Sequence, residues 1–266
     1  MKAVNIKWWS GLALVTLLGG CASQPQKTAE EMAAEEKGES LPGTALLYVE
    51  TEAGSDQSYT TRMFVNANYI HMDDSRSPQD FLLFDRKAKV IYSVNADDQT
   101  VFEIHAKPID IEPPIAIDYV EESQPSSAIP KIDGRHATHY RYTVNGERCY
   151  DAVVTPENFL PEVREALIEF RTVLAGEHTS TLANTPRDML DACDLAVNIF
   201  EATRHYSHGL PIREWGNGGY QRFLKDYRGD FTLPREVLTL PEGYRHYSLD
   251  KPLPASEQSH EVSAGN

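Results

Sequence analysis

The chain has 266 residues and a formal net charge of −15 at pH 7, with 40 acidic residues against 25 lysines and arginines. Binding to nucleic-acid phosphates requires clustered lysine and arginine, so this charge balance argues against a nucleic-acid partner. The same balance argues against a polybasic contact with a membrane surface. Solubility alone is a sufficient explanation for the acidity.

Residues 1–20 contain the three parts of a secretory signal. Lys2 and Lys7 form a basic start, an apolar run follows, and Leu18-Gly19-Gly20-Cys21 closes the segment with small residues before a cysteine. The apolar run is about a dozen residues long, whereas a helix that spans a membrane needs ~20. We therefore expect an export signal that is removed before Cys21.

The motif Leu18-Gly19-Gly20-Cys21 resembles the lipobox of bacterial lipoproteins. In that class the peptidase cuts before the cysteine after a diacylglycerol has been attached to its thiol. The resemblance implies that Cys21 is lipidated and that a membrane is the partner of this N-terminal lipid, held stably by two or more acyl chains. Ala22 and Ser23 resemble the outer-membrane class, which implies a lipid-anchored location at the outer membrane, facing the periplasm. The alternative is an ordinary secretory signal with a chance cysteine.

Composition divides the rest of the chain into three parts. Residues 21–42 are polar and low in complexity, which predicts a flexible tether. Residues 43–250 are enough for one substantial, β-rich domain. Residues 251–266 are typical of a disordered tail. No apolar stretch after the signal is long enough to span a bilayer.

Short runs of strand-forming residues, separated by polar turns, dominate residues 44–106 and 210–240. This pattern predicts two antiparallel meanders. Between them, Asn145-Gly146 separates His136–Val144 from Glu147–Val154. Asn-Gly suits the two positive-φ positions of a type I′ turn, so these runs are predicted to form a hairpin.

Two amphipathic helices are predicted at about 157–208. In the first, apolar residues recur at helical spacing from Phe159 to Leu174. In the second, Pro186 fits the first helical position and Gly209 lies where a C-terminal glycine belongs. The apolar face of the second helix is expected to consist of Met189, Cys193, Ala196, Val197 and Phe200. Helices inserted between two meanders predict an α+β fold.

Cys149 and Cys193 are the two cysteines that remain after the lipidation site. An exported protein is in an oxidising environment, so we expect these thiols to form a disulfide. The alternative is two separate buried thiols. Chain-entropy arguments assign a loop of about 45 residues a stabilisation of roughly 4 kcal/mol.

Three groups of side chains suggest metal ligation, namely the pair His136 and His139, the pair His205 and His208, and the set His71, Asp73 and Asp74. The first pair lies on a predicted strand, where a spacing of three puts the rings on opposite faces. The second pair shares a helix face but has no third ligand. We therefore predict no metal and no other cofactor.

Motifs for nucleophilic catalysis are absent from the sequence, as are zinc-protease and phosphate-loop motifs. The acidic pairs Asp73-Asp74 and Asp97-Asp98 lie in predicted turns, where aspartate is common for local reasons. Catalysis by two carboxylates that folding brings together stays open at this point. The expectation is a protein that is not an enzyme and has no catalytic residues.

A further resemblance rests on the element order and on two short motifs. Gly209-Leu210-Pro211-Ile212-Arg213 opens a strand, and Leu240-Pro241-Glu242-Gly243-Tyr244 closes the domain. The layout over residues 44–249 resembles uncharacterised bacterial exported lipoproteins similar to the lipoprotein-carrier-like half-barrel proteins, which include periplasmic carriers and their outer-membrane receptor. The resemblance implies a curved antiparallel β-sheet, an incomplete barrel, whose helices close the concave face over an apolar cavity. It assigns no binding residue.

These patterns together predict a membrane-anchored envelope lipoprotein that binds an apolar ligand, such as a lipid, or an envelope protein. The segments Phe159–Leu174 and Met189–Phe200 are expected to cover the cavity, because an apolar helix face must be buried against something. The alternative is a structural or assembly module of the envelope without a ligand cavity.

Overall fold

The computed structural model describes residues 40–253, except 128, 133, 183, 184 and 217. The predicted signal, the lipidation site Cys21 and nearly all of the predicted tether lie outside the described residues. The predicted tail lies outside them from residue 254 onward.

A single large sheet dominates the described part of the chain. Its strands are β1 (Ser40–Thr51), β2 (Ser58–Val65), β3 (Tyr69–Asp74), β4 (Ser77–Asp85), β5 (Val90–Asn95), β6 (Thr100–His105), β7 (Tyr119–Pro125), β8 (Thr138–Val144), β9 (Glu147–Val154), β10 (Pro211–Gly216), β11 (Gln221–Pro234) and β12 (Arg245–Tyr247). Their spatial order is β12-β6-β5-β4-β3-β2-β1-β11-β10-β9-β8-β7. The sheet is curved and does not close, and all neighbours are antiparallel except β12, which runs parallel to β6.

The first predicted meander and the hairpin are present and join into this one sheet. The second meander is reduced to β10 and β11, because β11 continues through Thr232–Pro234 and a 3-10 turn follows at Arg235–Leu238. Strands β1 to β6 follow one another in space as they do in sequence, and β11 returns from the second meander to pair with β1. In the turn between β8 and β9, Asn145 has φ 52° and Gly146 has φ 81°, as a type I′ turn requires. An α+β fold built on a curved antiparallel sheet is therefore confirmed.

One long helix, α1 (Pro161–Leu182), packs on one face of the sheet. Proline fits its first position, because a helix leaves that N–H without a partner anyway. The buried residues of α1 that join the main core are Val163, Ala166, Leu167, Phe170 and Val173. They pack against sheet residues such as Phe84, whose ring centroid lies 5.8 Å from that of Phe170. No helix in the described ranges, α1 included, is long and apolar enough to cross a membrane.

The second predicted helix does not form as one continuous element. Its place is taken by a 3-10 turn (Arg187–Met189), the short helix α2 (Ala192–Leu195), a π-helical turn (Ala196–Phe200) and a second 3-10 turn (Arg204–Tyr206). Asp191 causes one break. Its backbone is extended, and its side chain accepts a hydrogen bond from the N–H of Asp194 at 2.8 Å, so a new helix begins there. Met189 is 72% exposed and does not belong to the apolar face predicted for it.

The disulfide fastens this broken helical segment to the sheet. Cys149 on β9 and Cys193 in α2 are bonded, with their Cα atoms 5.2 Å apart. This is the pairing that the sequence analysis predicts. Ala196 packs beside it in a second core cluster with Tyr142 and Tyr150.

Candidate functional site

Two cavities lie on opposite faces of the sheet. Side chains alternate along a strand, so Leu46 and Tyr48 of β1 face α1 and join the main core, whereas Ala45 and Leu47 face away. A cavity of about 500 Å³ lies on the α1 face and is lined by residues of β9 to β11, α1 and the broken helical segment. We name it the polar cavity. A cavity of about 560 Å³, the apolar cavity, is lined mainly by the opposite face of β1 to β3 and by the far end of β11.

Apolar side chains form most of the wall of the apolar cavity. They include Leu47, Phe64, Phe231, Leu233 and Val237. The rings of Phe64 and Phe231 meet edge to face at 6.1 Å, so the far end of β11 stands against β2 across the cavity. Gly43 is required beside this contact, because a Cβ there would lie 2.7 Å from Cζ of Phe64. The 3-10 turn Arg235–Leu238 completes the wall through Val237.

A polar cluster, buried at His71 and Asp73 and half exposed at Arg62, lines one side of the apolar cavity. Arg62 Nε lies 2.7 Å from Asp73 Oδ1, and His71 Nδ1 lies 3.7 Å from Asp73 Oδ2. Burial lowers the pKa of His71, although Asp73 opposes the shift. The carboxylate of Asp73 is therefore already bound to Arg62, and the imidazole beside it is neutral at neutral pH.

Two further charged residues of β11 line the apolar cavity. Asp226 Oδ1 accepts a hydrogen bond from the N–H of Tyr227 at 2.9 Å. Arg228 is exposed and has no hydrogen-bond or ion-pair partner among the described residues. Its guanidinium is therefore a cation at this cavity that is free to bind a ligand.

Three charged residues lie side by side beside the polar cavity, on β1, β11 and β10. The sheet register pairs Glu50 with Arg222 and Arg222 with Glu214. Arg222 Nε lies 3.7 Å from Glu50 Oε1, and Arg222 Nη1 lies 3.8 Å from Glu214 Oε2. The guanidinium also lies 3.8 Å from the ring centroid of Tyr48, a cation–π contact. Strand pairing therefore creates an acid–base–acid row on the α1 face.

Glu214 has two further polar neighbours. The hydroxyl of Tyr150 donates a hydrogen bond to Glu214 Oε1, and His205 Nε2 lies 3.6 Å from the same oxygen. Burial raises the pKa of Glu214, against the opposing effects of Arg222 and Tyr150. Burial, with the charges of Arg171 and Arg222, lowers the pKa of His205 well below its usual value, so the ring is neutral.

Negative charge surrounds the mouth of the polar cavity. Glu147, Asp191 and Asp194 line it and are exposed. Burial, together with the charge of Asp191, raises the pKa of Asp194.

Arg171 of α1 holds the segment that covers the cavity, since its Nη2 donates a hydrogen bond to the carbonyl of Val197 at 2.8 Å. The disulfide also lines this cavity.

The histidines singled out in the sequence are separated by the fold. His205 lines the polar cavity, whereas His208 Nε2 lies 2.8 Å from Glu121 Oε1 and His139 Nε2 lies 2.7 Å from Asp151 Oδ1. His71 meets Asp73 but not a third ligand. Among the described residues, no group of three or more histidine, cysteine, aspartate or glutamate side chains is arranged to hold a metal ion.

Sequence reasoning missed the row of Glu50, Arg222 and Glu214. These residues are far apart in the chain and meet only through the pairing of β1, β11 and β10. The sequence signal was a charged residue at a strand position that faces the core. Recognising such a position requires knowledge of the strand register. The helical segments also differ from expectation, because α1 lies over the polar cavity and not over the apolar one.

Comparisons with known proteins give no family for this chain. No family model and no curated protein match it. Among solved structures, PNGF-II in a C2 space group matches at 10% identity with a TM-score of 0.37, over 78% of this chain and 31% of that one. An uncharacterized conserved protein from Thermus thermophilus matches at 9% identity and a TM-score of 0.37, over 84% of this chain and 99% of that one. The chain thus spans about a third of the length of PNGF-II, and likenesses this low carry no functional argument.

Proposed function

We propose that the protein is a lipid-anchored, non-enzymatic lipoprotein of the cell envelope that binds an apolar ligand in the apolar cavity. The observation that carries the proposal is the cavity itself, about 560 Å³ with a largely apolar wall. This volume falls within the ~300–1,000 Å³ typical of small-molecule sites. The anchor rests on the lipobox at Cys21.

The contrast with the α1 face supports a ligand rather than a defect of packing. On that face the apolar side chains of α1 fill the space above the sheet. No residue of α1 lines the apolar cavity. Each CH₂ group of a ligand buried there contributes ~0.8 kcal/mol, so an acyl chain gains affinity from a wall of this kind.

Arg228 supports an acyl chain that ends in a carboxylate. Arg62 is already bound to Asp73 at 2.7 Å, so its charge is satisfied within the protein. Arg228 has no such partner among the described residues and lines the same cavity. A guanidinium binds a carboxylate through charge-assisted hydrogen bonds, which makes a fatty acid the expected class of ligand.

Titration of the full chain with a fluorescent fatty acid tests the proposal. We expect saturable binding at micromolar protein. Arg228→Gln should weaken binding of the free acid about fivefold or more and leave binding of its methyl ester unchanged, because only the acid has a charge to pair. Lys225→Gln, on the same strand, is the matched control and should change neither. Absence of saturable binding would leave the structural or assembly module as the better account.

The anchor is tested separately by Cys21→Ala. We expect the variant to be released from membranes, since lipid on this thiol is the proposed attachment. The measurement is fractionation of envelopes after a high-salt wash. A variant that still sediments with membranes would mean that a protein partner or a retained signal segment holds it there.

A further inference from the structure

Arg222 is a buried cation whose Nε makes no hydrogen bond within the described structure. Nε lies 3.7 Å from Glu50 Oε1, and Nη1 lies 3.8 Å from Glu214 Oε2, both beyond hydrogen-bonding distance. A buried donor without a partner costs ~1–3 kcal/mol, and native proteins nearly always satisfy such groups. The polar cavity, which Arg222 lines, has room for the group that would do so.

The carboxylates on either side of Arg222 define the chemistry of that group, since Glu50 lies 3.7 Å from Nε and Glu214 lies 3.8 Å from Nη1. An atom placed between the guanidinium and either carboxylate must accept a hydrogen bond from the first and donate one to the second. A hydroxyl does both, whereas a carboxylate only accepts and an ammonium only donates. The row of charges therefore favours a ligand that carries hydroxyl groups.

The charges around the cavity favour a neutral ligand. Four charged groups lie deep in the cavity or directly behind it, and their formal charges sum to zero. They are Arg171, Arg222, Glu50 and Glu214. At the mouth, three exposed acidic residues repel an anion. An ammonium that passed them would meet the two arginines. Neither sign of charge is therefore favoured throughout the cavity.

Tyrosines supply the rest of a site for hydroxyl groups. Tyr150, Tyr206 and Tyr220 line the cavity. Burial raises the pKa of each of these phenols, so each stays protonated. Tyr150 donates to Glu214 and Tyr220 donates to Glu50, and the oxygen of each can still accept a hydrogen bond from a ligand hydroxyl. Their rings also offer apolar faces to the C–H surface of a ring-shaped ligand.

We propose that the polar cavity binds a neutral, hydroxyl-rich ligand of the saccharide class, with its hydroxyl groups bridging Arg222 and Glu214. The cavity volume of about 500 Å³ lies in the range of small-molecule sites. This site is independent of the apolar cavity, so one proposal can fail while the other holds.

Calorimetry and saturation-transfer NMR on the full chain test this site. The probes are N-acetylglucosamine, its β-1,4-linked disaccharide and maltose, with glucuronate and glucosamine as charged comparators. We expect at least one neutral sugar to bind saturably, and both charged sugars to bind about tenfold more weakly or worse. Absence of binding by every neutral sugar at millimolar concentration, or tighter binding of a charged one, overturns the proposal.

Two variants locate the binding in this cavity. Glu214→Gln keeps an acceptor for Tyr150 but removes the charge, and should weaken sugar binding about tenfold, the lower end expected for a hydrogen bond to a charged group. Asp151→Asn is its matched control. Asp151 is a buried carboxylate on neighbouring β9 that faces the other way, towards His139, and its replacement should leave sugar binding unchanged.

The second variant blocks the mouth without touching the buried charges. Ala53 lines the cavity and is exposed, so Ala53→Trp should abolish sugar binding and leave the fold intact. Ala88→Trp, at an exposed turn, is the matched control. Thermal melts verify that each variant is folded. Sugar binding that survives both Glu214→Gln and Ala53→Trp shows that the ligand binds elsewhere, while fatty-acid binding should be unchanged in all four variants.

Discussion

The two faces of the sheet treat their charged residues differently. On the face away from α1, Arg62 meets Asp73 directly at 2.7 Å. On the α1 face, Arg222 stands between two glutamates and touches neither, at 3.7 and 3.8 Å. A buried ion pair offsets its desolvation only with good geometry and satisfied hydrogen bonds. Arg62 is half exposed and meets Asp73 at hydrogen-bonding distance, so solvent can satisfy the rest of its guanidinium. Arg222 is buried, and its Nε makes no hydrogen bond within the described residues.

The packing of apolar residues differs between the two faces in the opposite sense, since it is complete on the α1 face and incomplete on the other. On the α1 face a helix of 22 residues fills the space above the sheet with side chains. The opposite face is covered at the apolar cavity by the end of β11 and by one 3-10 turn of four residues. A short cover cannot supply enough side chains to fill the space beneath it. The result is apolar packing beside a polar cavity on one face, and ion pairing beside an apolar cavity on the other.

The largest expected effect is from a charge placed in the packed face. Phe170→Asp removes a buried ring that meets Phe84 at 5.8 Å and leaves a carboxylate without a partner. We expect a loss of roughly 5 kcal/mol or more in the free energy of unfolding, the sum of a Phe truncation and a buried charge. Urea denaturation measures it. Fatty-acid affinity of the remaining folded protein should be unchanged, and a parallel loss of affinity would contradict the separation of the two faces.

Removal of the disulfide is expected to rank next. The bond between Cys149 and Cys193 closes a loop with a sequence separation of 44, for which loop entropy predicts about 4 kcal/mol. Cys193→Ala should lower the free energy of unfolding by that order and expose the polar cavity, because α2 is then no longer tied to β9. Denaturation under oxidising conditions and mass mapping of the native bond check this. Two free thiols in protein isolated under oxidising conditions would contradict the pairing.

Local chemistry in the sequence predicts much of the fold. The hairpin turn followed from Asn145-Gly146, and the long helix from the spacing of apolar residues up to Leu174, although α1 runs on to Leu182. The second helix was mispredicted because its apolar spacing is helical while Asp191 starts a new helix in its middle. A side chain that competes for backbone N–H groups outweighed the periodic pattern.

The candidate sites were much less predictable than the fold. The apolar cavity depends on how the far end of β11 stands against Phe64, a contact between residues on strands that are distant in sequence. The polar cavity depends on strand register, since a shift of one residue would turn Arg222 to the other face. Composition and spacing contain neither piece of information. The sequence named the disulfide pair correctly, whereas His71, Asp73 and His205 were considered only as metal ligands and not as parts of these cavities.

Acid is expected to destabilise the protein through a buried histidine on each face. Burial lowers the pKa of His71 on one face, and burial with two arginines lowers that of His205 much further on the other. Because both folded-state values lie below the ordinary 6.5, the unfolded chain binds more protons as the pH falls through 6.5. Stability is therefore present above that pH and lost below it, by up to ~1.4 kcal/mol per pH unit for each histidine.

Denaturation curves at pH 7.5, 6.5 and 5.5 compare the two faces. His205→Asn should flatten the dependence on pH more than His71→Asn does, since the pKa of His205 is lowered further. Equal slopes in the two variants and the parent would show that neither ring is protected from protonation in the folded state.

The smallest effect on stability is expected at the open face, where binding and folding should separate. Val237 lines the apolar cavity and is 37% exposed. Val237→Trp should fill part of the cavity and lower fatty-acid affinity about tenfold, while the free energy of unfolding changes by no more than ~0.5 kcal/mol, as for other surface substitutions. The matched control is Val120→Trp, which adds the same ring at an exposed position on the edge strand β7.

The pair of tryptophan variants decides whether the apolar cavity is a binding site or only a gap in the core. If it is a gap, the indole of Val237→Trp buries apolar area and stabilises the protein by ~25 cal/mol for each Å² removed from water. Stability then rises and fatty-acid binding stays at the level of Val120→Trp. If it is a site, affinity falls in Val237→Trp alone. Fluorescence titration of the same two proteins separates the two results, because only a binding site predicts a loss of affinity confined to Val237→Trp. Urea denaturation verifies that both variants are folded.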